Sequence, residues 1–155
     1  MYDSCKDTAV PNDTSIIPRF VGSLKLYNIE TQFTEVCMKD SRDLQSDDIK
    51  KILSEVEASS HTKVLITHGT YTLGDTARYL KVNLKRDDQI VVLTASAIPI
   101  MGFSPSDGPF SLGYAIAKLE HLSPGVYVAV NGHVFSPEEI MKVMSEARFT
   151  SIFQR

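Results

Sequence analysis

The sequence has few cysteines and few histidines, and each shortage excludes a class of protein. Its two cysteines, Cys5 and Cys37, are too few for a disulfide framework, and their context is typical of a reduced, cytoplasmic compartment. The four histidines are scattered along the chain and show no metal-ligand spacing with the cysteines. We therefore expect no metal site and no other cofactor.

Long apolar runs and charge of one sign are also missing. No run approaches the roughly 18 residues that a membrane helix needs. The N-terminus has no basic stretch leading into an apolar one, so no signal peptide is expected. A net charge of −3 gives no electrostatic reason to expect nucleic acid or an acidic membrane as a partner.

What the chain does have is a regular alternation of strand-like and helix-like segments. Its 155 residues fit one domain, residues 1–155. Apolar, β-prone runs predict strands at residues 33–38, 63–67, 89–94 and 125–130. Capping signals and helical spacing predict four helices. Ser46 and Thr72 are the expected caps of the first two, Pro109 opens the third, and Ser136 caps the fourth, which ends near Arg148. Asn131-Gly132 predicts a two-residue hairpin turn into a short strand.

This alternation predicts an α/β fold, a three-layer doubly wound and mostly parallel sheet of the Rossmann-like or flavodoxin-like kind. Ligands in such sheets bind at the carboxyl ends of the strands. The loops at residues 39–45, 68–72 and 95–108 are therefore the candidate site. The central loop packs His68, Thr70, Tyr71 and Thr72 around Gly69, which suits the floor of a pocket for one small polar ligand.

The same loops carry a family resemblance. "ITHGTYTLGDTARYL", from Ile66, resembles the T-H-G-T-D-T segment of the L-asparaginase (asparaginase/glutaminase) family. "VVLTASAIPIMGFSPSDGPF", from Val91, resembles the family's next block, and "KDSRDL", from Lys39, its Ser-containing substrate segment. The likeness covers residues 33–149, and the chain resembles short single-domain members that have only the N-terminal domain.

The resemblance implies hydrolysis of the side-chain amide of asparagine or a related small amide by a threonine nucleophile. It implies that Thr70 is catalytic and that the protein is a homo-oligomer. The residues expected to contact the substrate are Ser41, Arg42, Gly69, Tyr71, Ser96 and Asp107. Asp43 and Asp107 are candidates either for the substrate ammonium or for bracing the loops.

The chain departs from the family pattern in several places. No strand with a G-G-T-I turn, the source of the family's first nucleophilic threonine, is present, so the first strand of the sheet is missing. Either Met1 is an internal methionine and the start lies upstream, or the gene is truncated. Tyr71 replaces a carboxylate that grips the substrate ammonium. Lys118 is the only local substitute for the family's lysine, which would fall near Leu122.

These departures leave alternatives open. The chain could be an amidohydrolase that needs an upstream G-G-T-I segment, or a catalytically impaired domain that binds a small amino acid. A nucleotide-binding flavodoxin-like domain has no glycine-rich phosphate turn to support it. At the residue level, His68 could serve only to hold its loop, Lys118 and Arg42 could be surface charges, and Asp107 could simply favour a helix N-terminus.

Overall fold

The computed structural model describes residues 2–3, 8–9, 12–101 and 105–153. Its helices are α1 (Ile17–Ser23), α2 (Ser46–Ala58), α3 (Leu73–Asn83) and α4 (Gly108–Lys118). Its strands are β1 (Tyr2–Asp3), β2 (Thr8–Ala9), β3 (Lys63–Thr67), β4 (Ile90–Thr94), β5 (Gly125–Val130), β6 (His133–Phe135), β7 (Ile140–Val143) and β8 (Arg148–Ser151). Short 3₁₀ helices lie at Ser41–Asp43 and Met144–Glu146.

The central sheet has the strand order β3-β4-β5-β6. β3, β4 and β5 are parallel, and β6 turns back antiparallel to β5. Strand β4 is apolar on both faces because helices cover both of its sides. The predicted Asn131-Gly132 turn is confirmed: both residues have positive φ, 52° and 78°, as a type I′ hairpin turn requires.

Helices cover both faces of the sheet, which confirms the predicted three-layer α/β fold. One core joins α2 and α3 to the sheet through Ile52, Leu73, Leu80 and Val128. The other core packs Ala115 of α4 against the opposite face. In each helix the apolar residues recur at helical spacing, so one stripe faces the sheet. This layering exposes the carboxyl ends of β3 and β4 at one edge of the domain.

The predicted helix from Ser136 to Arg148 is wrong, because this segment forms the antiparallel hairpin of β7 and β8. The expected contact between Ser136 and Glu139 does form, with the Ser136 N–H donating to Glu139 Oε1 at 2.7 Å. However, the other carboxylate oxygen of Glu139 accepts the Ser151 hydroxyl at 2.8 Å, which ties the segment to β8. Ile140 then points into the core while Met141 is exposed, an alternation of strand type.

Three other local predictions are wrong. Residues 33–38 form no strand, and no strand among the described residues pairs with β3 on the side away from β4. Ser46 does not cap α2, since Gln45 is the N-cap and its N–H donates to Asp48. Thr72 makes no capping bond, because its hydroxyl donates to the Ser41 carbonyl instead. For Thr72 a tertiary contact overrides the local signal, whereas at α2 a local capping box one residue earlier replaces the expected cap.

Some features are absent from the part of the chain that the structure describes. No described helix is long and apolar enough to cross a membrane. No group of three or more potential metal ligands is present among the described residues. Cys37 is a free thiol whose pKa is raised by burial, which disfavours the nucleophilic thiolate. Cys5 lies outside the described residues.

Candidate functional site

The turn after β3 is held by a neutral histidine. The His68 N–H donates to the Thr94 carbonyl at 2.9 Å and so joins the ends of β3 and β4. His68 Nδ1 lies 2.8 Å from the Gly69 carbonyl, which can only accept, so Nδ1 carries the proton. Nε2 then accepts from the Thr76 hydroxyl at 3.0 Å. Burial lowers the pKa of His68, and the ring keeps this tautomer as a brace.

Ser41 joins the 39–45 loop to the same turn. Its side chain is buried, and its Oγ accepts the Tyr71 N–H at 3.2 Å. Its carbonyl accepts the Thr72 hydroxyl at 2.9 Å. A Cβ at Gly69 would lie 2.6 Å from Ser41 Oγ, so only glycine allows this approach. Two loops that are distant in sequence therefore form one rigid floor.

Thr70 meets a lysine from the β7–β8 hairpin. Lys142 Nζ donates to Thr70 Oγ1 at 2.7 Å. Desolvation by burial, together with the charge of Arg42, lowers the pKa of Lys142, while Asp40 acts in the opposite direction. A lysine with a lowered pKa is neutral at a lower pH than a surface lysine and can then accept a proton. Thr70 and Lys142 can therefore exchange a proton directly.

Tyr71 lies beside two cations. Lys142 Nζ is 4.0 Å from the centroid of the Tyr71 ring, and Arg42 Cζ is 4.6 Å from it. Both distances suit cation–π contacts. Asp40 holds Arg42 in place by accepting from its backbone N–H, its Nε and its Nη2 at 2.8, 3.0 and 2.8 Å. Arg42, Tyr71 and Lys142 form one contiguous cluster, the cation–tyrosine cluster.

An open cavity of about 350 Å³ lies against Thr70 and Tyr71. Its other walls come from α3 and from the β7–β8 hairpin, including Asp75, Arg78 and Glu138. Asp75 lies 3.7 Å from Arg78, and Glu138 pairs with Lys81 at 2.8 Å. The cavity has room for a small molecule next to the Thr70 hydroxyl.

A sequence model of the N-terminal domain of asparaginase matches residues 4–153, almost the whole chain. The chain belongs to the asparaginase family. The glutaminase-asparaginase of Acinetobacter glutaminasificans is 34% identical over 90 residues, covering 56% of this chain and 27% of that protein. The L-asparaginase of Thermococcus kodakarensis is 35% identical over 82 residues, covering 53% of this chain and 25% of that protein.

The solved structures agree with the assignment to the asparaginase family. The structure of the thermostable L-asparaginase from Thermococcus kodakarensis matches with a TM-score of 0.79 and 30% identity. The match covers 90% of this chain and 43% of that chain. The sequence matches thus cover about a quarter of the length of the two curated relatives, and the structural match covers less than half of the Thermococcus chain.

Within this asparaginase-family fold, five of the predicted site residues lie together. Ser41, Arg42, Gly69, Thr70 and Tyr71 form the floor and one wall of the site through the contacts given above. Gly69, Thr70 and Tyr71 are placed by topology, because they follow the carboxyl end of β3, and hydrogen bonds of Ser41 bring the 39–45 loop to them.

The other predicted residues lie elsewhere. Both carboxylate oxygens of Asp107 accept backbone N–H groups, from Ala97 at 2.9 Å and Ile98 at 2.8 Å, so Asp107 braces its own loop. Ser96 is half-buried just beyond β4. Lys118 ends α4, and its ammonium lies 5.1 Å from the Tyr114 ring. Since α4 runs back across the sheet, its C-terminal end is opposite the Thr70 edge.

Lys142 is the site residue that sequence reasoning missed. The helix predicted for residues 136–148 gave no reason to expect Lys142 near the site. The sequence Ile140-Met141-Lys142-Val143 has no apolar–polar alternation, so the strand periodicity of its burial is visible only in the structure.

Proposed function

We propose that this chain is the N-terminal domain of an asparaginase-like amidohydrolase that cleaves the side-chain amide of asparagine or a related small amide with a threonine nucleophile. The observation that carries this proposal is the 2.7 Å hydrogen bond between Lys142 Nζ and Thr70 Oγ1. Family membership supports the reaction class, and the lowered pKa of Lys142 supports its role as the base.

The proposed reaction divides amide hydrolysis into two steps. In the first step, the oxygen of the nucleophilic threonine attacks the amide carbon. The C–N bond breaks, ammonia leaves, and an ester forms between the threonine and the substrate. Water then attacks the ester, releases the acid and restores the threonine. Neutral Lys142 accepts a proton through the Thr70 hydroxyl during attack and returns it to the leaving group. The overall balance is one amide and one water to one acid and one ammonia.

The open edge of β3 is the place where we propose that a further strand docks. Val64, Ile66 and His68 direct their backbone groups toward β4, as shown by the bond from His68 N–H to the Thr94 carbonyl. Backbone groups of Lys63, Leu65 and Thr67 therefore point to the open side, because they alternate along a strand. A strand carrying a G-G-T-I turn would end beside Thr70 and supply the first threonine.

The test is ammonia release from L-asparagine and L-glutamine by two chains. One is the present chain, and the other is extended upstream to any in-frame G-G-T-I codons. We expect activity in the extended chain only. Ammonia release by the present chain alone, at the rate of the extended one, would remove the docked strand from the proposal.

Matched variants of the active form test the two named groups. We expect Thr70→Ala and Lys142→Met each to reduce kcat by at least about a hundredfold, the usual scale for general acid–base groups. Lys118→Met serves as the matched lysine control and decides between the two lysines. Loss of activity in Lys118→Met with retention in Lys142→Met would overturn the assignment of the base. Circular dichroism of all variants checks that the fold is retained.

A second candidate function is a binding domain for a small amino acid or related ligand that does not catalyse hydrolysis. Tyr71 favours it, because the ring occupies the position next to Thr70 and is covered by Lys142. Binding without ammonia release in either chain would support this function.

A further inference from the structure

The cation–tyrosine cluster gives the site a charge pattern that bears on its substrate. Lys142 and Arg42 both contact the ring of Tyr71, at 4.0 and 4.6 Å. Tyr71 is 46% exposed, so its phenol faces the open cavity. Lys142 and Tyr71 therefore line the cavity next to Thr70, and Arg42 lies behind them against the Tyr71 ring.

Neither cation of the cluster is fully neutralised by carboxylates of the site. Among the described residues, no carboxylate lies within ion-pair distance of Lys142 Nζ. Asp40 is already engaged by Arg42 through Nε and Nη2. Arg42 Nη1 makes no hydrogen bond to Asp40, and the guanidinium side chain is 60% exposed. Arg42 can therefore donate to a second, incoming carboxylate.

Each of the two carboxylates that line the cavity already faces a basic side chain. Asp75, on the first turn of α3, is beside Arg78, and Glu138 is paired with Lys81. An ammonium group on a ligand near Tyr71 would lie beside Lys142 and Arg42, whereas Asp75 and Glu138 are each engaged by another cation. Like charges at such separations repel, whereas a ligand carboxylate would be attracted to both cations.

We propose that this site, if it hydrolyses amides as proposed above, prefers monoamides of dicarboxylic acids that carry no α-ammonium group, of the succinamate class, over asparagine. The amide end lies at Thr70 and Lys142. The carboxylate end lies at Arg42, with the Tyr71 hydroxyl donating a hydrogen bond to it. Tyr71 is thus a specificity-determining residue, and an ammonium next to the carboxylate weakens binding.

Ligand binding tests the proposal without requiring turnover. The affinities of succinate and of L-aspartate for the chain are measured by isothermal titration calorimetry at one pH and one ionic strength. These two molecules differ only in the ammonium group. We expect succinate to bind at least about tenfold more tightly, which is the scale of one unfavourable charge contact. Equal binding, tighter binding of L-aspartate or binding of neither molecule would overturn the proposal.

Two variants isolate the role of Tyr71. Tyr71→Asp places a carboxylate in the cluster, and we expect the preference to reverse toward L-aspartate. Val82→Asp adds the same charge at an 81%-exposed position near the far end of α3, and we expect it to leave the preference unchanged. A reversal in both variants would mean that net charge, not the cluster, sets the preference. Inorganic sulfate as competitor measures the binding of any anion, and sulfate binding as tight as that of succinate would also contradict the proposal.

Turnover separates the failure of this inference from the failure of the proposed function. The extended chain is assayed for ammonia release from succinamate and from L-asparagine. Faster hydrolysis of L-asparagine overturns the preference and leaves the amidohydrolase intact. Hydrolysis of neither, with succinate still bound more tightly than L-aspartate, removes the reaction but retains the ligand class.

Discussion

At the scale of single residues, the contacts that Lys142 makes in the site oppose the hydration that its charge requires. Its ammonium donates to Thr70 and contacts the Tyr71 ring, yet it lies partly desolvated next to Arg42. A hydrogen bond to a neutral hydroxyl compensates only part of the lost hydration of a charge. The position therefore costs stability while the lysine is protonated, and that cost is the physical origin of its lowered pKa.

This cost predicts how stability depends on pH. Because burial lowers the pKa of Lys142, the unfolded chain binds more protons between that pKa and the ordinary lysine value of 10.5. The free energy of unfolding contributed by Lys142 therefore rises as pH rises through this window, and it is constant below it. Urea unfolding of wild type and Lys142→Met from pH 7 to about 10.5 measures the difference. We expect wild type to gain stability relative to the variant with rising pH.

Other lysines titrate in the same range, so a matched control is needed. Lys118→Met removes a lysine at the end of α4 with a similar change of side chain. Its stability difference from wild type should show a weaker rise with pH. A flat or falling difference for Lys142→Met would mean that the Lys142 ammonium is not destabilised by its surroundings.

The residues of the site differ in how far sequence could locate them. Ser41, Gly69, Thr70 and Tyr71 lie in loops that directly follow strand-like runs or precede helix signals, so topology alone predicts that they meet. Lys142 could not be located, because the local sequence signals before it predict a helix where the structure has a hairpin. Ser136-Pro137-Glu138-Glu139 has the residues of a helix start, and only the partner Ser151 shows that Glu139 serves a hairpin.

At the scale of elements, β3 has the sequence of a central strand in the position of an edge strand. Val64 and Ile66 pack against one core and Leu65 against the other, so both faces are apolar. All three are nevertheless only half-buried, unlike the fully buried residues of β4. Edge strands usually carry charge or proline to prevent further pairing. Apolar periodicity predicts extended chain but not pairing, and residues 33–38, which have the same kind of pattern, form no strand.

The open edge predicts an alternating pattern of amide exchange along β3. The N–H groups of Val64 and Ile66 face β4 and are bonded, whereas those of Leu65 and Thr67 face the open side. We expect the bonded amides to exchange at least about tenfold more slowly in hydrogen-exchange NMR. In the chain extended through a G-G-T-I segment, the amides of Leu65 and Thr67 should become protected as well. Equal protection of all four amides in the present chain would contradict an open edge.

At the scale of the whole molecule, one group of exposed apolar side chains lies on and beside the β7–β8 hairpin. Met141, Met144 and Ile152 are 45, 59 and 51% exposed and line the cavity beside Thr70, and Phe153, which follows Ile152, is 74% exposed. The fold class itself was predictable, because the strand and helix periods of residues 63–130 agree with the layers they form. The exposed apolar surface was not predictable, because the exposure of side chains in the β7–β8 segment depends on a hairpin that the sequence signals did not reveal.

This apolar surface predicts self-association through the hairpin, since contiguous exposed apolar groups gain free energy when a second copy covers them. We expect sedimentation equilibrium to give a mass above the 17.2 kDa of one chain. Ile152→Glu should shift the mass toward one chain, because a buried carboxylate without a partner is costly. Val82→Glu, an equally new charge on an 81%-exposed apolar residue of α3, should leave the mass unchanged. A single-chain mass for wild type, or equal effects of both variants, would exclude the hairpin as the association surface.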